Sequence, residues 1–186
     1  MTLHYKEKTF KRIGENIEQA FTRLNEGLTM VEMIDQSSDE RERDIYTKLA
    51  AMQAHHTWHS LVKLFRRIAL EVDNGVPKGP GAAQKLIEQM LVRTNDRPNI
   101  LSMQHREMVQ KLRLFHKDFR NVNRSQHSRS ELVELIEYMN EELAPSVLEN
   151  VRVLALSAPG GSKLVAQLRP KSHGSETVQY DDLKTA

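Results

Sequence analysis

The chain is 186 residues long, enough for one domain with a substantial core and too few for two of ordinary size. Its net charge is only +2 at 28% charged residues, so no global field singles out a polyanionic partner and electrostatic recognition must come from a local patch. It has no cysteine, which excludes disulfides, a thiolate nucleophile and a cysteine-based zinc site. Aromatic residues are sparse, and a core of Leu, Ile, Val, Met and Ala favours packed helices over a β-sandwich. Residues 1–11 are polar with no apolar run, unlike a signal peptide, and no stretch approaches the roughly 18 apolar residues of a membrane span. A cytoplasmic protein without a membrane segment is expected.

Phe10, Ile13, Ile17, Phe21, Leu24, Leu28 and Val31 recur at the three- and four-residue spacing of an amphipathic helix. Gly14 and Gly27 weaken that helix, and a bend or break is expected near Gly27. Asp35–Asp39 interrupts the pattern, with Ser37 or Ser38 as the expected cap of a second helix over Asp39–Val72. Ile45, Leu49, Met52, Leu61, Phe65, Ile68 and Val72 are expected to face inward from it. The Gly- and Pro-rich run Asp73–Gly81 stops this helix. A short third helix follows over Ala82–Val92, then a loop at Thr94–Asn99.

A fourth helix starts near Ser102, with Met108, Leu112, Phe115, Phe119 and Val122 on one stripe. Ser128-Arg-Ser-Glu131 matches a capping box and starts a fifth helix with Leu132, Leu135, Ile136 and Met139. Pro145 suits the first turn of a last helix holding Val147, Leu148, Val151 and Leu154. The whole reads as an all-α, up-and-down bundle of five to six helices over residues 1–156. Ser157-Ala-Pro-Gly-Gly-Ser162 opens a polar segment without period, so residues 157–186 are expected to form a flexible tail.

Chemistry-bearing residues concentrate on the fourth helix. Arg113, His116, Arg120 and, seven further on, His127 follow a stripe about 100° from the apolar one. Between His105 and Arg129 lie seven Arg and Lys residues against Glu107 and Asp118. Arg presents a planar fork suited to phosphate, and His titrates near neutral pH, so the pair suits phosphodiester binding and proton transfer without a metal. The competing reading is a solvated face neutralised by Glu131, Glu134, Glu137, Glu141 and Glu142 of the fifth helix. His55 and His59 have the four-residue spacing of metal ligands. No third ligand is evident, and His55, His56, Trp58 and His59 read more readily as a polar-aromatic packing cluster. No metal or cofactor is expected.

Several segments in this order resemble one known group. They are Ala54-His-His-Thr-Trp58, Leu64-Phe-Arg-Arg-Ile68, Val72-Asp-Asn-Gly-Val-Pro-Lys-Gly79, Leu86-Ile-Glu-Gln-Met90, Arg97-Pro98 and Leu114-Phe-His-Lys-Asp-Phe-Arg-Asn-Val122. Together, over roughly residues 40–155, they resemble the HepT-like members of the HEPN superfamily. The resemblance implies a four- to five-helix bundle that dimerises, often a metal-independent ribonuclease toxin, with RNA as substrate and a small nucleotidyltransferase as antitoxin partner. The superfamily's pattern of Arg followed by a polar residue and, after a short spacer, His is met by Arg120-Asn-Val-Asn-Arg-Ser-Gln-His127. It implies Arg120, Asn121 and His127 as catalytic residues, with Arg113, His116, Lys117 and Arg124 as an RNA- and phosphate-binding surface. Three places depart from the pattern. Lys117 and Asn123 stand where the most similar branch carries His and Tyr, and Arg129 stands where HepT toxins carry the Tyr that their antitoxin modifies. A non-catalytic subunit binding a nucleotidyltransferase or nucleic acid is the alternative reading.

Overall fold

A computed structural model describes residues 7–119 and 128–158 together with Lys163, Val165 and Leu168. Among these residues the regular structure is entirely helical: α1 (Glu7–Gln36), α2 (Glu40–Glu71), α3 (Ala82–Leu91), α4 (Arg106–Phe119), α5 (Arg129–Tyr138) and α6 (Ala144–Leu156). It is the all-α helical bundle that the periodicity predicts. The paired rods α1 and α2 form its spine, joined through residues 37–39; α5 and α6 pack on α1, and α3, α4 and α5 on α2.

Phe10, Ile13, Ile17, Ala20, Leu24, Val31 and Ile34 make the buried stripe of α1. Contrary to expectation, α1 runs through Gly27 without a break. Gly27 is buried where α1 meets two neighbours, and a Cβ built on it lies 3.5 Å from Gln53 Cβ and 3.7 Å from Ile136 Cγ2. Burial on both sides outweighs the weak helix propensity of one glycine.

The start of α2 differs from the sequence reading in one residue. Asp39, and not a serine, is the cap: its carboxylate accepts the Arg41 N–H at 2.8 Å. Ser37 supports it, accepting the Asp39 N–H at 3.2 Å and donating to Glu42 at 2.7 Å. A larger correction concerns the inward face of α2. Ile45 is 55% exposed and Leu49 37%, whereas Ala50, Ala54, Thr57, Leu61, Leu64 and Ile68 are buried. At 100° per residue the stripe 45–49–52 continues into 56, 59 and 63, on the outer side of the helix, and does not join 61–65–68. The small Ala50 and Ala54 are what α1 packs against.

The capping box is present as predicted. Ser128 Oγ accepts the Glu131 N–H at 3.2 Å, and Glu131 Oε2 accepts the Ser128 N–H at 2.9 Å. Arg129 then ties the start of α5 to the start of α2, donating to Glu40 at 2.7 Å and to Thr47 at 3.3 Å. That guanidinium holds the Glu40 carboxyl below the usual carboxylate range. Pro145 lies in the first turn of α6 as predicted, but α6 is no separate rod. A π-turn at Met139–Leu143 carries α5 directly into α6, with the Ala144 N–H reaching back to Met139 O. A widened turn is the ordinary way to accommodate a ring that cannot donate in the four-residue pattern. Past α6, Ala158 and Leu168 are buried, and Leu168, 1% exposed, joins the core. The rest of the tail expected over 157–186 lies outside the described residues.

Two buried polar groups hold the end of the bundle between α2, α3 and α4. Arg97 is 3% exposed and donates all five N–H groups. Nε and Nη2 grip Asp73 at 2.6 and 2.8 Å, Nη2 also meets Gln89 O at 2.8 Å, and Nη1 meets Val92 O and Pro98 O at 3.0 and 2.9 Å. Asp73 in turn accepts from Gln89 Nε2 at 2.7 Å. His105 is fully buried before α4; its Nδ1 bonds the Tyr138 hydroxyl, while Gln104 Nε2 donates to its Nε2 at 3.3 Å. Burial lowers the His105 pKa against the pull of Glu142, and burial together with Glu142 pushes Tyr138 up to about 12.

Arg97→Ala should therefore destabilise the fold by about 3–5 kcal/mol in urea unfolding, because it leaves the Asp73 carboxylate buried and unpaired. Arg97→Ala with Asp73→Ala should cost less than the sum of the two single changes. For His105, the unfolded chain takes up the proton first. Stability should be steady above about pH 6.5 and fall below it, by at most about 1.4 kcal/mol per pH unit for this one proton. His105→Gln should flatten that part of the stability profile.

Candidate functional site

The second stripe of α4 faces α2 and α3, where a cleft of about 850 Å3 opens. From α4 it receives Arg113, His116 and Lys117; from α2, His55, His56, His59, Lys63 and Arg66. The remaining wall is apolar, made by Val76 and Pro77 of the loop after α2 and by Ala82, Ala83, Leu86 and Ile87 of α3. Among the described residues no carboxylate lines this cleft, so its field is uniformly positive.

Stacking fixes the α2 and α4 side chains against each other. The His55 and His116 rings lie 4.2 Å apart and within 8° of parallel, and Phe119 meets His55 at 4.5 Å. The exposed His59 continues the array, 7° from parallel to His116 at 6.1 Å. Trp58, on the same stretch of α2, is buried and meets Phe65 edge-on at 6.3 Å, so it belongs to the core beneath the cleft. Within the His55–His59 cluster, His55 and Trp58 are packed against neighbouring rings, while His56 and His59 are exposed at the cleft. Among the described residues no group of three or more His, Cys, Asp or Glu is arranged to hold a metal ion.

Among the described residues no ion pair joins a glutamate of α5 to Arg113 or Lys117. Lys111, on another side of α4, is the residue that meets such a glutamate, 3.9 Å from Glu134 and 3.8 Å from Glu107 of its own helix. Arg113 instead donates from Nε to Gln110 Oε1 at 2.8 Å. Among the described residues no carboxylate pairs with Arg113, Lys117, Lys63 or Arg66. Uncompensated cations gathered in one concavity are suited to an anionic ligand, above all phosphate.

Of the residues singled out in the sequence, Arg113, His116 and Lys117 come together here. Arg120, Asn121, Arg124 and His127 lie outside the described residues. Ahead of them Phe119 packs tilted against His55, and after them Arg129 bonds Thr47 and Glu40, so both flanks of that segment are anchored along α2. The α2 contribution was missed, although its signal is in the sequence. His55, His59, Lys63 and Arg66 recur at helical spacing, like the basic stripe of α4.

Fold and cleft together define a helical-bundle protein whose concave face is cationic. A family model of HepT-like proteins matches residues 49–154, from within α2 to within α6 and more than half of the chain. The protein belongs to the HepT-like family. No curated protein and no solved structure matches it.

Arg113→Gln and Lys117→Gln should each weaken binding of a single-stranded oligodeoxynucleotide. Each should also reduce the log–log salt slope of that binding by about 0.7, the value for one released counterion on a single strand. Lys111→Gln, whose cation already faces carboxylates, should change the slope less.

Proposed function

We propose that this HepT-like protein is a metal-independent endoribonuclease of the toxin type, acting on RNA as a homodimer in the cytoplasm. The observation that carries this reading is the cleft between α2, α3 and α4: cations with no lining carboxylate among the described residues, bordered by the stacked His55 and His116 and by Phe119, where α4 leads toward Arg120. In this reading Arg113, Lys117 and Arg124 hold the RNA backbone, His116 extends that surface, and Arg120 binds the scissile phosphate. His127 moves the proton and Asn121 orients one of the pair.

The reaction balances without a co-reactant. The 2′-hydroxyl loses its proton to a base and attacks phosphorus, the bond to the 5′-oxygen breaks, and that oxygen leaves with a proton. The products are a 2′,3′-cyclic phosphate and a 5′-hydroxyl. Arg120 would stabilise the extra negative charge on the phosphorane-like transition state. The exposed Ile45 and Leu49, on the outer stripe of α2, support a second copy as partner. Arg129 stands at the place of the modifiable Tyr of HepT toxins and is engaged with Glu40 and Thr47, so control by modification there is not part of the proposal.

A second reading keeps the same cleft but no cleavage: a subunit that binds nucleic acid or a nucleotidyltransferase. Lys117 favours it, since an ammonium replaces a proton-transferring imidazole at that place.

Incubation with total RNA in EDTA separates the two. Cleavage by the wild-type chain should persist on chelation, and His127→Ala should lower its rate by about 100- to 10,000-fold, the range of general acid–base catalysis. RNA binding without cleavage by either protein establishes the second reading, and cleavage unchanged in His127→Ala overturns the first.

A further inference from the structure

The cleft has a composition narrower than phosphate binding requires. Among the described residues its lining contains cations, imidazoles and apolar side chains, with no Asn, Gln, Ser, Thr, Asp or Glu. Such a lining offers no amide or hydroxyl to read the edge of a polar ligand. What it offers is charge at one side, an apolar wall at the other, and the aligned rings of His55, His116 and His59 between them. Val76, Pro77, Ala82 and Ala83 keep the apolar wall low, because their side chains are short.

We infer that this cleft seats one nucleotide of a single-stranded RNA, with its base against the Val76–Pro77 and α3 wall and its phosphate on Lys63, Arg66, Arg113 and Lys117. This subsite rests on the RNA reading above but uses none of the residues of the Arg120–His127 segment. Imidazole rings and apolar side chains are stacking surfaces that every base satisfies, so the subsite grips a base without identifying it. The volume of about 850 Å3 lies within the range of pockets that enclose a small organic ligand. Lys63, Arg66 and Lys117 are exposed while Arg113 is half-buried, which lets a backbone run along the opening with one phosphate reaching inward.

The test uses the full chain and a 2′-O-methyl oligoribonucleotide of eight residues, which cannot be cleaved. Its bases are removed one at a time, and binding is followed by fluorescence anisotropy. One position should prove sensitive, with affinity lost about tenfold on removing its base, the scale of one stacked base. Exchange among the four bases at that position should change affinity by less than about threefold.

Ala83→Glu places a carboxylate on the apolar wall at an exposed site in the first turn of α3, where the helix dipole accepts it without harm to the fold. It should abolish the difference between the intact and the abasic oligonucleotide. Lys11→Glu makes a larger charge change on α1, which does not line the cleft, and should preserve that difference. A flat abasic scan, or a penalty that survives in Ala83→Glu, overturns the subsite even if RNA is bound and cut. No binding of the oligonucleotide by the wild-type chain overturns both this subsite and the RNA reading. Loss of cleavage alone, with the abasic penalty intact, sinks the nuclease and leaves the subsite standing.

Discussion

The cleft exists because Arg97 and Asp73 are buried together. Asp73 follows the end of α2 and Arg97 lies in the loop after α3, so their paired bonds at 2.6 and 2.8 Å close the chain into a fixed corner. The other Arg97 N–H groups take up Gln89 O, Val92 O and Pro98 O, carbonyls at and beyond the end of α3. One guanidinium thus terminates α3 and sets its distance from α2. Without that constraint the apolar wall carried by Ala82, Ala83, Leu86 and Ile87 would have no defined position opposite the basic stripes. A buried ion pair adds little net stability over a hydrophobic replacement. Its contribution here is geometric, since a point charge or an apolar side chain cannot satisfy three carbonyls and a carboxylate at once.

The second constraint is the separation of charge around α4. Acidic residues of α5 lay within reach of neutralising the basic stripe, and the fold gives them other work. Glu131 closes the capping box, Glu134 faces Lys111, and Glu142 lies near the His105–Tyr138 pair. α4 packs on α2 instead, and α2 meets it with three histidines, a lysine and an arginine over the stretch 55–66. Like charges facing one another across a cleft weaken the fold that holds them, and the stacking of His55 on His116 opposes that cost. Among the described residues, cations thus gather in a cleft that no carboxylate lines.

How much of this was legible in the sequence follows from range. Helix boundaries are local, so the capping box at Ser128, the stop at Asp73–Gly81 and the stripe of α1 read directly. Errors arose where two local patterns were both self-consistent. Ile45, Leu49 and Met52 form a perfectly regular stripe, but only packing decides which stripe of a 32-residue helix faces the core, and α1 selects the one with Ala50 and Ala54. Arg113, His116 and Lys117 were found because they share a helix. Their partners on α2 lie some fifty residues away and carry the same spacing, yet nothing local joins the two stripes. Arg97 and Asp73 were visible only as neighbouring pieces of a family pattern, and the bond that unites them needs the fold.

The family match begins at Leu49, while the spine of the bundle begins at α1. The geometry of α2 reconciles these boundaries. Its buried arc, 50–54–57–61–64–68, packs on α1, and its cleft arc, 55–59–62–66, lies roughly a third of a turn away. The two arcs are joined only by Trp58 and Phe65, which are buried in the core and also line the cleft. What α1 must do is bury the opposite side of α2 tightly enough that the helix stays straight under the charge on its outer face. Small buried residues suit this role: Gly27 of α1 lies close against Gln53 of α2, and Ala20, Ala50 and Ala54 are buried as well. The cationic cleft is therefore carried by one face of a helix whose other face is held by a segment that the family pattern does not specify.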